Sequence, residues 1–267
     1  MLPVIKAAYE AGQAIMEIYQ TDFDVEYKED DSPLTIADKK SHELIKSALE
    51  KHYPEIPILS EEGKGIPYEE RSEWDKFWLI DPIDGTKEFI KKNGEFTVNI
   101  ALIENGKPVF GVVYAPALDT FYLGNKEKGA FKMEGMSAIS FDNEKTFFEK
   151  AVALPQHSKE TNKVKVVASR SHMSSETEEF IEALKKDYDE VETVSAGSSL
   201  KLCLVAEGTA DYYPRYAPTM EWDTGAGQAV VEHAGGQVTV AGEETPLLYN
   251  KENLLNPWFL AKLNRKQ

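Results

Sequence analysis

The segment Trp78-Leu79-Ile80-Asp81-Pro82-Ile83-Asp84-Gly85-Thr86 runs an apolar strand directly into two aspartates and a Gly-Thr turn. Acids at a strand end are unusual. Their spacing lets Asp81 and Asp84 reach one point, while Pro82 and Gly85 fix the chain so that the carbonyl of Ile83 turns the same way. Hard oxygen donors of this kind suit Mg²⁺, which keeps several waters and takes the phosphate oxygens of a substrate as further ligands. Asp-Pro and Asp-Gly are also common turn dipeptides, so by type alone the two aspartates serve equally well as turn caps. An EF-hand does not fit, because counting from Asp81 places Gly85 at loop position five and Lys92 at twelve, where Gly at six and Glu at twelve are required.

Other acids stand at the ends of apolar runs. Glu61 and Glu62 follow Ile56-Pro57-Ile58-Leu59-Ser60, and Asp223 follows Trp222 at a helix start. Each alone reads as a helix cap or a surface acid. Their joint placement makes them candidates to complete a cation site.

Basic residues offer a complementary feature. Ala196-Gly197-Ser198-Ser199-Leu200-Lys201 begins a helix, and a lysine in the first turn opposes the positive end of the helix dipole unless an anion lies nearby. Arg215, after Pro214 and the Tyr212-Tyr213 pair, offers a planar, permanently charged fork suited to phosphate. The plain alternative is that both pair with surface carboxylates, which are plentiful. His172 follows Ser171 and leads into a helix where Ser175 and Glu178 form a capping box. His42, His52, His157 and His233 show no HExxH or Cys/His metal spacing. The single cysteine, Cys203, lies among Leu202, Leu204 and Val205, as a packed residue does, and excludes an intramolecular disulfide framework.

The elements that position these residues follow from periodicity. Val4, Ala8, Ala11, Ile15, Ile18 and Tyr19 mark one face of a helix over 2–20, and Ile36, Leu44, Ile45 and Leu49 that of a second over 34–50, with Asp38 near its start. The polar stretch 22–32 lies between them. Short β-rich runs follow at 77–80, 96–103, 109–114 and 120–123, with Asn105-Gly106 as a hairpin turn. A short helical run over 87–91 places Gly85 and Thr86 at its N-terminus, where their amides face an anion. The first half reads as helices on an antiparallel sheet. The polar stretch 143–163 is the expected boundary, giving halves 1–160 and 161–267. Beyond it, strands at 164–168, 190–194, 210–213 and 237–240 alternate with helices at 175–186, 199–207 and 222–234, which argues for a layered α/β unit.

The chain has 267 residues, 42% hydrophobic and 10% aromatic, enough for a substantial core. Its 46 acidic and 30 basic residues give a net charge of −16, which disfavours nucleic-acid polymers and anionic membrane surfaces. An anionic substrate therefore needs a local cationic patch or a metal. No cationic leader with an apolar run and cleavage site is visible, and no run of about 18 apolar residues spans a membrane, so the expectation is a cytoplasmic protein without integral membrane association. A homodimer and a loose peripheral membrane association are both compatible with the sequence.

Ile80-Asp81-Pro82-Ile83-Asp84-Gly85-Thr86 and Glu221-Trp222-Asp223-Thr224-Gly225-Ala226-Gly227 resemble the paired signatures of the inositol monophosphatase superfamily of lithium-sensitive phosphatases. Thr35-Ile36-Ala37-Asp38 and Ser60-Glu61-Glu62 match as well, so the resemblance runs from about Asp38 to Gly236. It implies a layered αβαβα sandwich of the α/β class and two or three Mg²⁺ ions held by Glu61, Asp81, Asp84, Asp223 and the carbonyl of Ile83. It also implies a Thr86–Asp38 relay that orients and deprotonates a metal-activated water. Ser169-Arg170-Ser171-His172, Gly197-Ser198-Ser199-Leu200-Lys201, Tyr213-Pro214-Arg215 and Asp84-Gly85-Thr86-Lys87-Glu88-Phe89 are most similar to the 3'(2'),5'-bisphosphate nucleotidase branch. There the residues matching Ser198, Lys201 and Arg215 hold the nucleotide's second phosphate, and the one matching His172 lies near sugar and phosphates. The implied reaction takes 3'-phosphoadenosine 5'-phosphate to AMP and phosphate, a step linked to sulfur metabolism. The alternatives are an inositol monophosphatase or sugar bisphosphatase with the same metal machinery and, more remotely, a non-catalytic metal- or anion-binding protein, against which Thr86 and Asp38 both argue.

Overall fold

The computed structural model describes residues 1–28, 33–138, 143–156, 162–168 and 173–264. Pro3 lies in the first turn of α1 (Leu2–Tyr19), where a missing N–H costs nothing. The buried stripe Val4, Ile5, Ala8, Ala11 and Ile15 faces inward, its alanines letting α2 (Ile36–His52) lie close. Ala37, Ile45 and Leu49 are the packed face of α2. Ile36 and Leu44, expected on that face, are turned to solvent because they lie to one side of the Ile45 and Leu49 stripe. Within what reads as polar lead-in, β1 (Val25–Tyr27) pairs with β2 (Pro33–Thr35) in an antiparallel hairpin.

A larger sheet follows in the order β3 (Ile58–Ser60), β4 (Lys76–Asp84), β5 (Thr97–Glu104), β6 (Lys107–Ala115), β7 (Thr120–Asn125), β8 (Gly129–Glu134) and β9 (Val152–Ala153). It is antiparallel except where β3 runs parallel to β4, a crossover that contains the single-turn α3 (Tyr68–Arg71). Asn105 and Gly106, both at positive φ, close the β5–β6 hairpin as their types require. The short α4 (Thr86–Ile90) leaves the end of β4. The polar stretch 143–163 opens with α5 (Glu144–Lys150), because Phe147 and Phe148 suffice to anchor a turn of helix against the first-half core.

The smaller sheet has the order β11 (Glu190–Ser195), β10 (Lys163–Ala168), β12 (Tyr212–Arg215), β14 (Phe259–Leu263), β13 (Gly236–Val240). Its first three strands run parallel and the last two pair antiparallel. The helices are α6 (Ser175–Leu184), α7 (Leu200–Glu207) and α8 (Glu221–His233). Ser174 rather than Ser175 caps α6, its hydroxyl accepting the Thr177 amide at 3.3 Å.

The layers are α1 with α2, the larger sheet, α7 with α8, the smaller sheet, and α6, which is the expected five-layer αβαβα sandwich. Because α8 lies across β4 to β8 and also against β13 and β14, it is walled by sheet on two sides. The approach is so close that a Cβ on Gly111 of β6 would stand 2.5 Å from the Ala226 carbonyl. Leu79, Ala101 and Val113 from the first half therefore share one core with Val205, Ala226 and Val230 from the second. Among the described residues no helix is long and apolar enough to cross a membrane.

Candidate active site

Strand β4 pairs with β5 residue by residue as far as Asp81 opposite Asn99, and the register then shifts before Asp84 meets Thr97. Pro82 has no N–H to donate, so the ladder breaks there. The Asp81 side chain takes up the slack by accepting the Ile83 amide at 3.1 Å, and Ser41 Oγ donates to the Pro82 carbonyl at 2.9 Å. This bulge is what lets two acids three residues apart converge. Asp223 comes from the first turn of α8, where its Oδ2 accepts the Met220 amide at 2.7 Å. One oxygen from each of Asp81, Asp84 and Asp223 lies within 4.8 Å of the others. Ser199 binds the two halves together at this point. Its hydroxyl is 2.6 Å from Asp84 Oδ2 and 2.9 Å from the Asp223 carbonyl, and it accepts from Asn99 Nδ2 at 2.7 Å.

Burial, then the charges of Glu61, Asp84 and Asp223, pushes the Asp81 carboxyl well above the usual range. Burial, then Asp84, does the same to Asp223. Asp84 is raised by burial against the opposing pull of the Ser199 hydroxyl and the Lys201 ammonium. Carboxylates crowded in this way, one buried and two half-buried, repel unless a cation joins them. An all-oxygen donor set without Cys or His fits Mg²⁺ rather than a softer metal.

Glu61 lies beside this triad, close enough for its charge to raise the Asp81 carboxyl, and its amide donates to the Ile80 carbonyl at 3.1 Å. It is also paired with a residue that the sequence did not single out. Lys28, just after β1 at the end where that strand leaves toward β2, places Nζ 2.8 Å from Glu61 Oε1 and 2.5 Å from Glu62 Oε1. The Ile83 carbonyl lies 3.3 Å from Thr86 Oγ1, which is also 3.2 Å from Asp38 Oδ1. The other oxygen of Asp38 accepts from the Thr35 amide at 2.8 Å and the Thr35 hydroxyl at 2.6 Å, so the α2 capping box aims the carboxylate. Burial raises the Asp38 pKa and the Thr35 hydrogen bonds oppose it.

Gly85, at φ +90°, has a conformation that side chains disfavour, and a Cβ there would meet that of Ser198 at 3.1 Å. Ser198 itself is at φ +43°, its hydroxyl 3.3 Å from that of Thr97. Lys201 is 8% exposed, which sets aside the surface-pair alternative. Its Nζ donates to the Ala196 carbonyl at 3.3 Å and lies 5.8 Å from the Tyr213 ring centre, and burial lowers its pKa against the pull of Asp84. Arg215 donates Nη2 to the Pro218 carbonyl at 3.1 Å, while its buried Nε has no partner. Among the described residues neither cation has a carboxylate within 4.0 Å. Both line a pocket of about 80 Å³ with Ser198, Ser199, Tyr213, Asp84 and Asp223, room for a phosphate-sized group. His172 lies outside the described residues. The Cys203 thiol is buried and pushed well up, as fits packing rather than nucleophilic chemistry.

A model of the inositol monophosphatase family matches residues 2–265. The chain belongs to the inositol monophosphatase family. Within it, the chain is 45% identical over 258 residues to the 3'(2'),5'-bisphosphate nucleotidase CysQ of Salmonella typhimurium, covering 96% of each protein. The crystal structure of CysQ from Bacteroides thetaiotaomicron superposes with a TM-score of 0.89 at 49% identity, over 99% of this chain and 97% of that one. The IMPase of Thermotoga maritima, at 26% identity, has a TM-score of 0.68 over 97% of this chain and 89% of its own. In this family member the first-half motif and the α8 motif meet across the Ser199 bridge. Ser199 and Lys28 complete the polar shell. Ser199 stands within the Gly197 to Lys201 motif, whereas Lys28 carries no local signal.

Proposed function

We propose that this family member is a Mg²⁺-dependent 3'(2'),5'-bisphosphate nucleotidase that converts 3'-phosphoadenosine 5'-phosphate and water to AMP and phosphate. The observation that carries this reading is the adjacency of two opposite sites. A carboxylate triad, with Asp81 buried and Asp84 and Asp223 half-buried, shares Asp84 and Asp223 with a pocket holding two cations that among the described residues lack carboxylate partners. One site suits the phosphate to be cleaved and the other a second phosphate on the same molecule. The names of the CysQ relatives support the same choice.

Two or three Mg²⁺ ions, held by Asp81, Asp84 and Asp223 with Glu61 and the Ile83 carbonyl, would neutralise the phosphoryl oxygens and make the attacking water more acidic. Thr86 Oγ1 accepts the proton of that water as its own passes to Asp38 Oδ1, a carboxylate made more basic by burial. The water oxygen bonds to phosphorus as the ester bond to the 3'-oxygen breaks in line with it, and the departing oxygen takes up a proton from solvent water while Asp38 returns its own to solvent. Lys201 and Arg215 hold the 5'-phosphate, with Ser198 at the edge of their pocket, and the Gly85 and Thr86 amides face the reacting phosphate. His172 completes the substrate set on the sugar side. Inhibition by Li⁺ belongs to the same reading.

The test is phosphate release with Mg²⁺ from 3'-phosphoadenosine 5'-phosphate, inositol 1-phosphate and fructose 1,6-bisphosphate, on the wild type and on Lys201→Ala. The expected result is a preference for the nucleotide that Lys201→Ala reduces about 10- to 100-fold in kcat/KM. Equal or better turnover of inositol 1-phosphate or fructose 1,6-bisphosphate sinks the nucleotidase assignment and leaves the metal site standing.

A further inference from the structure

Two residues before Asp223, the Glu221 side chain is fully buried. Its carboxylate accepts the amides of Asn250 at 2.7 Å and Lys251 at 3.0 Å, and the Lys251 ammonium at 2.6 Å. The loop that supplies these donors is itself gripped from behind. Arg71, 3% exposed, donates to Asn250 Oδ1 at 3.1 Å and to the carbonyls of Lys251 at 2.6 Å and Glu252 at 2.7 Å. The Asn250 amide group returns a bond to the Arg71 carbonyl at 2.6 Å. From the same loop the Tyr249 hydroxyl reaches Thr224 Oγ1 at 3.1 Å and Gln228 Oε1 at 2.7 Å. The first turn of α8 is thus tied down on both sides of Asp223.

An ion pair with a fully buried carboxylate and an ammonium 31% exposed is a weak source of net stability, because desolvating the carboxylate offsets much of the attraction. Its value here is geometric. We propose that the Glu221–Lys251 pair positions Asp223, so that loop 249–252 acts as a buckle setting the affinity of the triad for a divalent cation. The proposal rests on the metal reading above. Outer partners of this kind typically change metal affinity about 10- to 100-fold when removed.

The sign of one measurement separates position from charge. Lys251→Met deletes a positive charge near the site, which by Coulomb's law alone strengthens cation binding, whereas a loosened Asp223 weakens it. Mn²⁺ binding is measured by electron paramagnetic resonance on the full chain, alongside thermal unfolding of the metal-free protein. The expected result is Mn²⁺ affinity about 10-fold weaker in Lys251→Met, largely restored in Lys251→Arg, with KM for the nucleotide at saturating Mg²⁺ unchanged. Equal or tighter Mn²⁺ binding by Lys251→Met overturns the proposal. If that variant does not fold, Tyr249→Phe, which keeps the ring and alters no charge, carries the test: weaker binding supports the buckle and unchanged binding overturns it. A wild type that binds no Mn²⁺ overturns the cation reading itself, and the buckle with it.

Discussion

Asp84 is held by burial that favours its neutral form and by the Ser199 hydroxyl and the Lys201 ammonium that favour its charge. Asp84→Asn keeps the shape and removes the charge. Its kcat/KM should fall at least about 100-fold, more than an outer partner costs, while the metal-free variant melts at or above the wild type because one repulsion is gone. Activity assays and calorimetry on the same preparation check both. Arg215 holds its pocket with a planar fork that lysine lacks. Arg215→Lys should therefore still lose about 10-fold in kcat/KM on the nucleotide, checked by initial rates over a substrate series. At this scale the sequence was informative wherever acids stood at strand or helix ends, as Asp81, Asp84 and Asp223 do. It passed over Lys28 and gave Glu221, though part of the second motif, no role, because the partners of both are set by a hairpin and a loop remote in sequence.

Among the elements, α1 was legible from its apolar stripe, α8 from the alternation of helices with strands in the second half, and the β5–β6 hairpin from Asn105-Gly106. Strands β8 and β14 were not, since Lys132 and Lys262 interrupt short runs whose pairing is decided by neighbouring strands. The bulge in β4 was visible only as Pro82, because its register depends on β5. Helix α8 permits two predictions. Gly111→Ala would place a Cβ 2.5 Å from the Ala226 carbonyl and 2.7 Å from Ala229 Cβ. Backbone cannot give way cheaply, so the variant should lose about 1–3 kcal/mol in urea unfolding, and some activity with it as Asp223 moves. At the far end of the helix, burial holds the His233 ring below the ordinary imidazole range, against the Pro108 and Val109 carbonyls and with Lys126 adding to the depression. Between that depressed value and about 6.5 the folded chain binds fewer protons than the unfolded one, so stability present above about 6.5 is lost as the pH falls through this window. His233→Gln should lose less between about pH 7.5 and about pH 5.5, as read from urea midpoints.

For the whole molecule, the net charge of −16 and the crowded triad act in the same direction, and a bound dication relieves part of both. Mg²⁺ at about 100 times its dissociation constant should add about 2.7 kcal/mol, or roughly 5–10 °C in Tm, and a chelator should remove it. A thermal melt with and without the chelator checks this. The five-layer order came with the family resemblance, the alternation of periods giving only helices on one sheet and a layered α/β unit, and neither showed the shared core, since it depends on α8 lying between two sheets. That placement also sets how long different walls of the site persist. From Thr224 to Val231 every residue of α8 is buried, so its amides should take up deuterium only when the entire chain opens. The β1–β2 hairpin has three paired positions on each strand and leaves Tyr27 70% exposed, so its amides should exchange by a small local opening. Asp223 thus endures as long as the fold, whereas Lys28 lets go of Glu61 and Glu62 each time the hairpin breathes.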